Sequence, residues 1–286
     1  MLESLSLTLA AIALIAAIPA FNAAKKLRSR LRRVEATLRG HVAIAGAAAR
    51  YAVERDAASR LRDANREPHL PIECRGGSGE DVLLWALFDG KLDGGFIEVG
   101  AYDGRRYSIS HVFEAVGWTG LLAEPLPSMA KLCAAYRTRS KVVQAALVSP
   151  EQVGILTLEI VADQGETEGT MSRVVREGAD RVVEVEAMTA DAALEDITTP
   201  IDFAVIDVEG AETHLLRGLD LDTHPIGVLV VEHTDVEGTE GDRAEKIRVL
   251  LESRDYERVA SINRNGWFIR NDRTDLKERF ASLMFT

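Results

Sequence analysis

From Ser78 onward, short apolar runs rich in Val and Ile alternate with stretches of helical periodicity, and this alternation restricts the fold more than any other feature of the sequence. A strand with no polar face has to be covered on both sides. A parallel sheet with helices on each face meets that condition. The runs predict strands at Gly95–Val99, Gly120–Glu124, Lys141–Leu147, Ile201–Val208, Gly227–Glu232, Tyr256–Ile262 and Trp267–Arg270. Helices are expected near Glu80–Phe88, Ser108–Val116, Ser128–Ala135, Ala211–Gly218 and Asp242–Ser253. Asn265–Gly266, joining the last two runs, is a hairpin signal. The expected fold class is therefore α/β, a doubly wound, mostly parallel seven-stranded sheet with an antiparallel C-terminal hairpin. The stretch Gln152–Asp196 breaks the alternation, with ILTLEIV and VVEVEAM around a polar middle, and reads as an inserted hairpin or lid.

The chain of 286 residues is long enough for one such core plus an appendage, and the appendage is N-terminal. Leu5–Ala24 carries no charge and has about the length of a membrane-crossing helix. Glu3 precedes it, while Lys25, Lys26, Arg28, Arg30, Arg32 and Arg33 follow, the reverse of a signal peptide, whose positive charge comes first. Residues 1–24 are therefore expected to be a membrane anchor, or an interfacial helix whose basic continuation meets anionic lipid. The positive-inside rule then leaves the rest of the chain at the inner, cytoplasmic face. Leu27, Leu31, Val34, Leu38, Val42 and Ala45 recur every three or four residues, with no proline between Lys25 and Glu67. Residues 25–71 thus read as a basic helical stalk, which either pairs chains through the 25–66 helix or packs on its own domain. Pro68 and Pro71 close it, leaving 72–286 as the globular domain.

Charge divides the chain in the same place: residues 1–66 hold 12 Lys/Arg against 5 Asp/Glu, and the remainder 22 against 40. So acidic a body is a poor partner for nucleic-acid phosphates, and no nucleic-acid substrate is expected. Cys74 and Cys133 form no metal-binding or redox pair and read as inert thiols in a reducing compartment.

Ligands of open α/β sheets bind beyond the carboxyl ends of the strands, so those edges carry the candidate site. The first edge is FIEVGAYDG, where Gly100 and Gly104 allow sharp turns and close approach, with Ala101 between them and Glu98 and Asp103 adding carboxylates. Carboxylates suit a cofactor with a cationic amino group and a sulfonium, and would repel a pyrophosphate. The spacing also differs from the Gly-x-Gly-x-x-Gly of nicotinamide dehydrogenases. The second is LLAEP, where Glu124 is placed to accept bonds from two ribose hydroxyls. Gln144, Ala145 and Ala146 are candidates to line an adenine. The third and fourth are AVIDVEGAE and VVEHTD, which bring Asp207, Glu209, Glu212, Glu232 and His233 to adjacent strand ends. There Asp207, His233 or Glu209 could act as general base on a hydroxyl, and Asp207, Glu209, Glu232 and His233 could instead hold a divalent metal. Ser172 and Arg173 in the insertion are candidate substrate contacts, while His111, His214 and His224 read as structural.

Taken in order, SGEDVLLWALF, GFIEVGAYDG, GWTGLLAEP and IDFAVIDVEGAETHLLRG resemble the FkbM family of methyltransferases over roughly Gly77–Ile269. The resemblance implies a class I, Rossmann-like methyltransferase fold. It also implies methyl transfer from S-adenosylmethionine to a hydroxyl of a sugar, glycolipid or other natural product. Carried over by motif, Glu98, Gly100, Asp103 and Glu124 would bind the cofactor, with Asp207, Glu209 and Glu212 at the acidic edge. The chain departs from the family's habit at Glu98 (often Asp), Tyr102 (Asn), Ser108 (Asn nearby) and Val205 (commonly Lys), the last removing a cation and leaving the carboxylates less compensated. A second reading keeps the fold without turnover, as a membrane-tethered binding module.

Overall fold

The computed structural model describes residues 28, 41–161, 171–174, 181–233 and 241–285. The chain divides into two compact units, 1–49 and 50–286. In the first, residues 28 and 41–49 are described and are helical. The apolar segment at 5–24 lies outside the described residues, and among those described no helix is long and apolar enough to cross a membrane.

The second unit opens with helix α1 (residues 50–63). There follow α2 (Glu80–Leu87), β1 (Gly95–Val99), α3 (His111–Val116), β2 (Thr119–Ala123), α4 (Pro127–Tyr136), β3 (Lys141–Val143) and β4 (Ala146–Leu147). Next come β5 (Gly154–Val161), β6 (Met171–Val174), β7 (Val182–Met188), α5 (Ala190–Leu194), β8 (Phe203–Ile206) and α6 (Glu212–Arg217). The chain ends with β9 (Val228–Glu232), α7 (Asp242–Glu252), β10 (Tyr256–Ile262), β11 (Asn265–Arg270) and α8 (Thr274–Phe285). Seven strands form one sheet in the order β10-β11-β9-β8-β1-β2-β3. Its pairings are parallel except where β11 enters between β9 and β10 and runs antiparallel to both. This is the expected class I methyltransferase-like arrangement.

The central strands are apolar at nearly every position because both faces are buried. Phe96, Phe203, Val205, Val228 and Val230 point to one side, where they pack with Leu84, Phe113 and Phe280 of α2, α3 and α8. Ile97, Ala204, Ile206, Leu229 and Val231 point to the other, against Leu194, Leu215 and Ile247 of α5, α6 and α7. The strict alternation is the two-residue period of a strand. Val53, Ala57 and Leu61 of α1, spaced by four, are buried in the first of these cores. The compact body therefore begins at residue 50, inside the segment expected to be a stalk.

Two expectations are corrected. The single strand expected at Lys141–Leu147 is two: β3 stops where its partner β2 stops, and β4 pairs instead with β7 in a second sheet of order β4-β7-β5-β6. The segment read as an insertion, 152–196, contributes β5, β6 and β7 to this sheet. The sheet is covered on one face, with Leu158, Val185 and Ala187 buried while Ile155, Thr157, Glu184 and Glu186 are exposed. The hairpin turn lies not at Asn265–Gly266 but two residues earlier, at Asn263–Arg264, where Asn263 takes φ +56. Ile262 and Asn265 then face each other as the last pair, and Arg264 sits at the tip.

Candidate active site

Beyond the carboxyl ends of β1, β2 and β8 lies a cavity of about 760 Å³, within the range of small-molecule and cofactor sites. Gly100, Ala101, Glu124, Asp207 and Glu209 line it, Ala145–Val148 and Leu156 and Leu158 of β5 wall one side, and Arg264 enters from the hairpin tip.

Gly100 shapes the floor. Its φ is +83, and a Cβ there would lie 1.9 Å from the Asp207 carbonyl oxygen, so only glycine permits the ends of β1 and β8 to come this close. The Gly100 and Ala101 N–H groups both donate to the Ala123 carbonyl, drawing the loop over β2. Glu124 follows Ala123 and is buried. One of its oxygens accepts from Tyr102 N and the other from Leu126 N, each at 2.9 Å. Burial pushes its carboxyl up to about 7 in spite of these two donors, which pull it down. Each oxygen keeps a lone pair for a further donor.

The remaining acidic residues divide by where their oxygens go. Glu98 lines the cavity but is buried and accepts from Ser108 Oγ and Ile109 N, both at 2.8 Å, and from Ser110, so it fastens the following loop to β1. Asp103 accepts from Arg105 N and Arg106 N and does not line the cavity. Gly104 faces α4, where a Cβ would lie 2.7 Å from Cys133 Sγ. Gln144 is exposed and lies off the cavity, while Ala145 and Ala146 line it. Glu212 is buried, accepts from Val208 N and Gly210 N, and meets Arg243 at 3.5 Å, so it closes the turn before α6. Of the eight cofactor positions expected from sequence, Asp103, Gly104 and Gln144 thus lie off the cavity.

Asp207 is open to the cleft on one side and crowded by protein on the others; that crowding raises its carboxyl, opposed by the guanidinium groups of Arg264 and Arg243. Glu209, at φ +51, is raised by burial and by the charge of Asp207. Glu232 is buried, and burial together with Asp207 and Glu209 pushes it up to about 8. His233 does not line the cavity: it is buried against the hairpin, with its ring Nε2 3.3 Å from Ser261 Oγ and its main-chain N–H donating to the Arg264 carbonyl. It is therefore not placed to deprotonate a hydroxyl in the cleft. Among the described residues no group of three or more His, Cys, Asp and Glu side chains could hold a metal ion, so Asp207, Glu209, Glu232 and His233, the candidate ligands, are not arranged as a metal centre. The side chains of Ser172 and Arg173 lie outside the described residues.

Sequence reasoning missed three contributors. Arg264 carried no motif and reaches the cavity only because the turn lies two residues earlier than expected. His214, read as structural, lines the cavity from α6. Arg137 is fully buried at the end of α4, where it meets Glu114 at 3.0 Å and donates to Gly104 O, Ser108 Oγ and Ser110 Oγ. It clamps the loop that carries Tyr102 and Ser108, and no local pattern in the sequence marks it.

Residues 98–258 match the model of the methyltransferase FkbM domain, more than half of the chain. Among curated proteins none matches. Among solved structures, TrmK of M. capricolum in complex with S-adenosylhomocysteine is 10% identical at a TM-score of 0.35, over 65% of this chain and 65% of that one. The O-methyltransferase from Bacillus cereus in complex with S-adenosylhomocysteine is 15% identical at 0.38, over 76% and 89%. The family match spans the Gly100 loop, Glu124, the Asp207 edge and Glu232, and on it the chain belongs to the FkbM methyltransferase family, enzymes that take their methyl group from S-adenosylmethionine.

Proposed function

We propose that the chain methylates a hydroxyl oxygen of a sugar, glycolipid or other natural product at the cytoplasmic membrane face, with Asp207 as general base. The observation that carries this reading is the position of Asp207, whose main chain abuts Gly100 while its carboxyl lines the same cavity as Glu124.

The cleft fits the cofactor. Glu124 retains one lone pair on each oxygen for the two ribose hydroxyls, and Gly100 and Ala101 present backbone without bulk. Ala145, Ala146 and Leu147 offer a flat apolar wall for the adenine. When bound, S-adenosylmethionine supplies an electrophilic methyl group on a sulfonium. The residues of the chain do the rest by position. Asp207 accepts the acceptor hydroxyl's proton at its carboxylate, Glu209 beside it takes a hydrogen bond from a neighbouring hydroxyl, and Leu156 and Leu158 exclude water from one wall. The membrane location is supported by the uncharged run Leu5–Ala24 and its basic flank.

The test is mass spectrometry of glycolipids and polysaccharides from cells with and without the protein. A species heavier by one methylene, present with the wild-type protein and absent with Asp207→Asn, is the expected result. No such species with the wild-type protein would overturn the reading. Asp207→Asn should slow turnover by roughly 10²- to 10⁴-fold, the usual contribution of a general base.

A further inference from the structure

One buried carboxyl oxygen at the end of β9 has no hydrogen-bond donor among the described residues. Glu232 closes β9 with its side chain 3% exposed; its Oε1 meets Arg264 Nη2 at 2.6 Å, and its Oε2 is buried without a partner. Ile206 and Val231 are paired on the adjacent parallel strands β8 and β9, so Asp207 and Glu232, the residues that follow them, lie side by side at the strand ends. A buried acceptor without a donor is costly, and two ionised carboxylates in contact repel. A single proton between the two groups removes both costs.

We propose that Glu232 is held as the neutral acid and donates its proton in a hydrogen bond to Asp207, making Glu232 a positioning residue that keeps Asp207 ionised and aimed into the cleft. Arg264 completes the arrangement by binding the other Glu232 oxygen from the hairpin tip. Its place is fixed by the backbone: Asn265 pairs with Glu232 across β11 and β9, His233 N donates to Arg264 O at 2.9 Å, and Asn265 Nδ2 donates to Glu80 Oε1 at 3.1 Å. Arg264 lies beyond residues 98–258, so the family match does not assign this clamp.

The charged surroundings favour the neutral acid. Asp207 and Glu209 follow β8, Glu212 opens α6 and Glu80 opens α2, all negative. Arg264 on the hairpin and Arg243 on α7 oppose them, and His233 adjoins Glu232 on β9 beside Ser261. Burial and the carboxylates prevail, and Glu232 is pushed up to about 8, so it carries its proton at neutral pH. The role of this proton in the reaction rests on Asp207 being the base; the proton itself does not.

The experiment is carbon-detected NMR titration of full-length protein labelled at its Glu and Asp carboxyl carbons, with Glu232 assigned by its disappearance in Glu232→Gln. One glutamate resonance titrating near 8 and lost in that variant is expected, and Asp207→Asn should lower its midpoint by removing a facing charge. Glu232→Gln retains a donor toward Asp207 and an acceptor toward Arg264, so it should keep turnover of whichever acceptor the glycolipid comparison yields. It should also abolish the decline of turnover above pH 8, and Glu232→Ala should lose turnover at every pH. A Glu232 resonance titrating in the ordinary carboxylate range, or a midpoint unmoved by Asp207→Asn, would overturn the proposal. The carboxyl titration involves no methyl transfer, whereas S-adenosylhomocysteine calorimetry reads the cofactor site, so failure of this inference and failure of the proposed function are told apart.

Discussion

Glu124 is buried at the end of β2 with one backbone donor on each oxygen, and burial pushes its carboxyl up to about 7. A carboxylate accepts two ribose hydroxyls, whereas the neutral acid is a poorer acceptor and brings a proton of its own. Cofactor affinity should therefore weaken as the pH falls through 7, and Glu124→Gln should bind about 10-fold more weakly, consistent with loss of one hydrogen bond to a charged group. Calorimetry against S-adenosylhomocysteine across that range checks both. At Gly100 the constraint is steric: Gly100→Ala places a methyl against the Asp207 carbonyl at a positive φ and should cost roughly 1–3 kcal/mol, read by denaturant unfolding, together with loss of cofactor binding. The sequence marks strand ends and their residue types, and so Gly100, Glu124, Asp207 and Glu209 could be found there. It does not mark which way an acidic side chain turns. Asp103 and Glu212 look like Glu124 in the sequence, yet the turns that follow them offer free N–H groups nearer than the cleft does.

Elements show the same division between local and long-range information. The strands β1, β8 and β9 are legible because burial on both faces leaves only apolar residues, and α6 and α7 because their apolar stripes face one core. The break between β3 and β4 is not legible, since it depends on where β2 ends, and α8 is absent from the predicted helices although Leu276 and Phe280, four residues apart, are buried in the core. Helix α1 is continuous in composition with the basic segment before it, yet Leu61 is 2% exposed while Val42 is 71% exposed. Leu61→Ala should therefore destabilise by about 2–5 kcal/mol and Val42→Ala by less than about 0.5 kcal/mol, measured by urea unfolding. Arg137 ties α4 to the loop after β1, and Arg137→Met leaves Glu114 and Glu98 buried beside lost donors. A cost of about 3–5 kcal/mol is expected, with S-adenosylhomocysteine binding weakened because Tyr102 is carried on the same loop.

For the whole molecule, the buried carboxyls set the response to pH. Glu124 and Glu232 have folded values of about 7 and about 8, above the ordinary 4.5, and Asp81, Asp207, Glu209 and Glu212 are raised as well. A group raised on folding binds its proton more tightly in the native state, so its stabilisation is complete below the unfolded value and is lost as the pH rises through the folded one. Thermal melts should show a midpoint falling as the pH rises through 7 and 8, and Glu232→Gln should flatten the upper part of that slope. The family match and the cavity rest on the body from Arg50 onward, while the proposed membrane location depends on the run Leu5–Ala24 and its basic flank alone and is tested by fractionation of the full-length protein. The account depends above all on the cofactor site at the ends of β1 and β2, and isothermal titration of full-length protein with S-adenosylhomocysteine measures it directly. Saturable one-to-one binding, weakened at least about 10-fold by Glu124→Ala, is the predicted result; no binding by the wild-type protein, or equal affinity in the variant, would contradict it.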